Sequence, residues 1–118
     1  MTMSDNSKFE IVWFDALRNA NNAAVAQNAK LGDEKFRGLD CGFAWLQFPG
    51  NTPFARWAKK QPNLTSKGYP TGLTIWYSKL HRVSTQSVSV HEAAAKAACD
   101  TFKALLPEAK VTWSSRLD

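Results

Sequence analysis

CGFAWLQFPGNTPFARW, residues 41–57, reads as an apolar strand, a tight turn and the start of a short helix in one continuous run. From Cys41 to Phe48 the side chains alternate, Phe43 and Trp45 on one side and Ala44, Leu46 and Phe48 on the other. Two apolar sides predict a central strand covered on both faces. Pro49-Gly50 turns the chain, and Asn51 or Thr52 starts a helix with Pro53 in its first turn, where a missing N–H costs nothing. Phe54 and Trp57 fall three apart on that helix, with Arg56, Lys59 and Lys60 around the remaining surface. The aromatic rings gathered in this run make it the seed of the core.

Working outward toward the N-terminus, residues 1–6 read as a frayed end, and Ser7 with Glu10 has capping-box spacing. Phe9, Val12 or Trp13, Ala16, Ala20, Ala23 or Ala24, and Gln27 then recur at three and four, which predicts a helix toward Leu31. A strand over Phe9 to Phe14 is the competing reading, outweighed by the Ala-rich stretch that follows without a breaker. Gly32-Asp33 opens a loop of alternating charge to about Asp40.

On the other side, the helix gives way near Gln61-Pro62 and a loop runs from Asn63 to Pro70. Gly72 to Ser78 reads as a second strand, Leu73, Ile75 and Tyr77 facing one way and Thr74, Trp76 and Ser78 the other. Ser89 with Glu92 repeats the capping-box spacing, with Ser87 as an alternative cap, ahead of a helical stripe through Val90, Ala94, Ala97 or Ala98, Thr101 or Phe102, and Leu105. Pro107 ends it, Lys110 to Ser114 is the last strand, and Ser115 to Asp118 is a polar tail. The order predicts one globular domain over residues 1–118, of the α/β or α+β class: a small three-stranded sheet, mixed or parallel, with three helices packed on it.

The chain has 118 residues, 44% of them hydrophobic, and a formal net charge of +5. That suffices for one core. No apolar run reaches membrane-spanning length and the start lacks the pattern of a signal peptide, so a cytoplasmic protein with no membrane partner is expected. Cys41 and Cys99 fit neither a disulfide framework nor a metal quartet; free thiols, no metal and no cofactor are expected.

Charge is distributed unevenly. Between Cys41 and His91 the chain carries Arg56, Lys59, Lys60, Lys67, Lys79 and Arg82 and no Asp or Glu. Such a block predicts a positive face for an anionic partner, nucleic acid first, held without sequence preference, with Tyr69 or Tyr77 able to stack on bases and Tyr69 the better candidate. Neither an RNP aromatic pair nor a Gly-x-x-Gly clamp is present. The Asn51-Thr52 turn offers a second anion site at a helix start. The rival is a protein-interaction module, a host-factor inhibitor or assembly protein, presenting Trp13 or Trp57; either a monomer or a dimer suits both readings. Enzymatic chemistry needs a positioned His or carboxylate, and only His81 or His91 meeting Cys99 or an acid would supply it; no catalytic residue is assigned.

The segments Cys41-Gly42-Phe43-Ala44-Trp45, Pro49-Gly50-Asn51-Thr52, Phe54 to Lys60, Gly72 to Trp76 and Ser115-Arg116-Leu117-Asp118 resemble those of a small conserved protein of tailed bacteriophages, usually without an assigned function. The resemblance covers residues 41–118. It implies a phage-encoded protein made in a bacterial cytoplasm and brings no catalytic residues. Of its recurring positions, Asn51, Arg56, Lys60 and Arg116 are the natural candidates for a polar site.

Overall fold

The computed structural model describes residues 5–31, 41–68 and 71–117. Helix α1, Asp5–Leu31, is followed by strand β1, Gly42–Phe48, helix α2, Pro53–Lys59, and the two-residue strand β2, Ser66–Lys67. Then come β3, Leu73–Trp76, a 3-10 turn at Tyr77–Lys79, helix α3, Val88–Leu105, a 3-10 turn at Pro107–Ala109, and β4, Thr112–Leu117. The expected loops at 32–40 and at Tyr69-Pro70 lie outside the described residues.

The sheet corrects the expectation of three strands in mixed or parallel pairing. Four strands lie in the order β2-β3-β1-β4, and every neighbouring pair is antiparallel. The reversal comes from a hairpin within the stretch expected to be loop. Gly68 N–H donates to Gly72 C=O at 2.9 Å, turning β2 back into β3. Gly72 has φ +84°, and a Cβ there would meet the Phe48 carbonyl oxygen at 2.6 Å, so the turn requires glycine. β3 and β4 both oppose β1 and therefore run the same way on either side of it, joined by α3 as a split β-α-β unit.

β1 is central, as expected, but among the described residues only one of its faces is covered. Ala44, Leu46 and Phe48 are buried under the helices, whereas Phe43, Trp45 and Gln47 are half-buried on the other side. The aromatic side of the strand was misjudged because ring size mimics the apolar content of a second core face. Beneath the covered face, Phe54 is the hub: its ring lies 5.4 Å from Phe48, 5.8 Å from Phe9 and 5.0 Å from Phe102.

α1 begins at Asp5 rather than after Ser7, so the expected fraying does not extend to residues 5 and 6. Its Ala16, Ala20 and Ala24, at a spacing of four, are fully buried, as are Ala94, Ala95 and Ala98 of α3. Small side chains on both helices allow their axes to approach closely. Asn19 bridges the pair, its amide donating to Thr101 Oγ1 at 2.9 Å.

Local signals held unevenly. Thr52 caps α2, its hydroxyl accepting from Ala55 N–H at 3.1 Å, with Pro53 at the first helical position. Ser87, not Ser89, is the cap residue of α3, and Glu92 leaves the expected capping box to accept a hydrogen bond from Ser115 of β4. That tie accompanies a last strand running to Leu117, through most of the residues expected to form a tail.

Candidate functional site

The open face of the sheet is built by strand register. Trp45 of β1 sits directly opposite Trp76 of β3, their ring centroids 5.3 Å apart. Phe43 sits opposite Arg116 of β4, and Gln47 opposite Thr74. Directly opposed residues in an antiparallel pair share a face, so both Trp rings, Phe43, Gln47, Thr74 and Arg116 point to the same side. Just past β3, Tyr77 stacks on Phe43 at 6.3 Å.

These side chains line a hollow of about 750 Å³, with Lys67 and Ser78 at its margin. Among the described residues lining it the charged ones are Lys67 and Arg116, both basic. Neither makes an ion pair among the described residues, where the two pairs are Arg18–Asp15 and Lys96–Asp100. Trp76 is 39% exposed, far more than a core Trp tolerates. The indole N–H of Trp45 donates to Gln47 Oε1 at 3.3 Å, fixing both side chains on the surface.

Behind Tyr77 lies a pair of buried histidines. Val83 N–H donates to His81 Nδ1 at 3.1 Å, which places the His81 proton on Nε2; that N–H donates to His91 Nδ1 at 2.9 Å. The Tyr77 ring stacks on His91 with centroids 3.8 Å apart. Burial pushes the His81 pKa below its ordinary value. The histidines thus meet, but Cys99 is about 12 Å further along the helix by its rise. Its thiol donates to Val111 C=O at 3.4 Å, and burial raises its pKa, the reverse of an activated nucleophile. Among the described residues no three potential metal ligands cluster.

The remaining basic residues named from the sequence do not join Lys67 and Arg116. Arg56 and Lys60 line a separate hollow between α1 and α2 that also contains Glu10, and Arg56 reaches back to Asn51 C=O at 3.5 Å. Lys59 Nζ lies beside Gly50. Lys79 and Arg82 line a third hollow with Arg18. Tyr69 lies outside the described residues. At the expected anion site the Ala55 N–H donates to the Thr52 hydroxyl and Arg56 N–H donates to Thr52 C=O, each at 3.1 Å.

Trp13 and Trp57, the rings that the rival protein-interaction reading needs at the surface, are 8% and 7% exposed. Trp13 packs on Phe102, and Trp57 on Phe9 and Phe54. They are core residues because each lies on the helix face that packs against the buried aromatic rings. The rings that do face outward are Trp76 and Trp45, the latter expected on a covered side of its strand. Gln47 and Thr74, polar residues alternating with those rings on the same side, were the available signal.

The architecture is that of a two-sided α/β protein: an antiparallel sheet with its helices on one face and an aromatic, cationic surface on the other. No helix among the described residues is long and apolar enough to cross a membrane. Neither protein-family models, nor curated proteins, nor solved structures gave a match to the chain.

Proposed function

We propose that the protein binds single-stranded nucleic acid on the open face of its sheet. One observation carries the reading: the Trp45–Trp76 pair faces solvent beside Lys67 and Arg116, with no carboxylate among the described residues that line the hollow. Aromatic faces stack on unpaired bases of any kind, and flanking cations hold the backbone phosphates. A duplex keeps its base faces stacked on one another, so the rings favour a single strand. Phe43 and Tyr77 extend the platform by a second ring pair, two residues back along β1 and so about 6.6 Å away by strand rise. The setting implied by the phage resemblance, a bacterial cytoplasm, belongs to the same proposal.

This reading keeps the nucleic-acid partner expected from the charge block but rests on two cations rather than six. A fluorescence-anisotropy titration of labelled oligothymidine at several salt concentrations tests it. Two phosphate contacts predict a log–log salt slope of about −1.4 for a single strand, against about −4 for six. Absence of binding at about 50 mM salt rejects the proposal.

A further inference from the structure

We propose that β4 is a self-association edge, through which two copies of this chain pair into one continuous sheet. The order β2-β3-β1-β4 leaves the sheet two outer strands, and the two are built differently. Edge strands are kept from pairing by shortness, by Lys, by Pro, by bulges or by cover. β2 has only two residues and one of them is Lys67. β4 has six, none of them Pro, and pairs with β1 over six consecutive positions without a bulge. Among the described residues β1 is its only neighbour in the sheet, and its side chains are exposed or half-buried throughout. One edge is blunted and the other is not.

The side chains of β4 match a second copy of the same strand. Antiparallel pairing about a two-fold axis at Ser115 sets Ser115 against Ser115, and twice over sets Trp113 against Leu117 and Ser114 against Arg116. Opposed residues share a face, and the register with β1 says which. Trp113 and Leu117 stand on the helix side, opposite Leu46 and Gly42, and Ser115 between them reaches Glu92 of α3. Leu117 is 64% exposed, and Gly42 has no side chain to cover it. Trp113 of the second copy supplies that apolar neighbour. On the open side each Arg116 meets a Ser114 hydroxyl, so the two guanidinium groups are not directly opposed. Moving the axis to Ser114 sets Trp113 against Ser115 and loses both apolar pairs. Pairing at Ser115 keeps the helices of both copies on one side of an eight-stranded sheet and both open faces on the other. β2 is too short to pair onward, so assembly closes at two copies.

Sedimentation equilibrium of the full chain, without nucleic acid, from about 1 μM to about 1 mM is expected to show the mass rise from one chain to two. The mass of one chain over that whole range overturns the proposal, as does a mass that climbs past two. Ser114→Arg puts like charges into both Ser114–Arg116 pairs and is expected to weaken the dimer about 2- to 30-fold; Ser114→Glu puts opposite charges there and should strengthen it by a similar factor. Ser66→Glu makes the same change in net charge at the other edge and should leave the dimer within about twofold of wild type. Leu117→Ser removes both apolar pairs and weakens the dimer as well. Ser114, Ser66 and Leu117 are exposed, and circular dichroism checks that each variant folds. A dimer that shifts equally with Ser66→Glu and Ser114→Glu, or one indifferent to every substitution in β4, lies elsewhere on the molecule and overturns the assignment to this edge.

Discussion

Replacing Trp76 by alanine isolates stacking from charge and from folding. The ring stands at the surface, 39% exposed, with its main aromatic contact at 5.3 Å to Trp45. Losing that pair costs about 0.5–1.5 kcal/mol of stability on top of the apolar area the ring buries, against a total of about 5–15 kcal/mol for a domain of this kind. Loss of one stacked base weakens binding by about 1–3 kcal/mol, or about 5- to 150-fold. Because no charge changes, the salt slope stays at its wild-type value while the whole line shifts to weaker binding. Arg116→Gln behaves in the opposite way, shallowing the slope by about 0.7. Both are read from anisotropy with labelled oligothymidine across a salt series, with circular dichroism as the check on folding. A folded Trp76→Ala protein that binds within about twofold of wild type refutes the stacking argument.

His81 gives a pH dependence with a definite sign. Its folded pKa lies below the ordinary 6.5, so the unfolded chain takes up the proton first. Stability is full above about 6.5 and is lost as pH falls from there through the folded pKa, because a protonated Nδ1 would oppose the Val83 N–H. Thermal melts between about pH 8 and pH 5 check this, and His81→Gln should flatten that part of the profile. Ala20→Leu inserts bulk into the fully buried α1–α3 seam and should destabilise the protein by about 1–3 kcal/mol or more, measured by urea unfolding. Thr52→Ala removes the hydroxyl that accepts from Ala55 N–H and should cost about 1 kcal/mol in the same assay, with nucleic-acid affinity unchanged.

The helices and the central strand were legible in the sequence because their signals are local. Apolar residues at three and four mark α1 and α3, and Thr52 with Pro53 marks α2, whatever the rest of the chain does. Strand direction depended on a hairpin closed by Gly68 and Gly72 around a strand of only two residues, too short for periodicity to register. The site was harder still. A large aromatic residue in a strand has the same letter whether a helix covers it or solvent does, and three helices on one side leave nothing for the other. Trp13 and Trp57 went to the core for the same reason in reverse: a helix residue shows its face only once its neighbours are known. Counting cations found the acid-free block but not its division among three hollows, which is fixed by α2 carrying Arg56 and Lys60 toward Glu10.

The alternation along β1 gives the molecule a division of labour by parity. Even-numbered positions, Ala44, Leu46 and Phe48, supply cohesion, while odd-numbered ones, Phe43, Trp45 and Gln47, are turned outward. Substitution at every second residue can therefore retune what the surface holds without loosening what lies beneath. A single inserted or deleted residue exchanges the two roles and should abolish both at once.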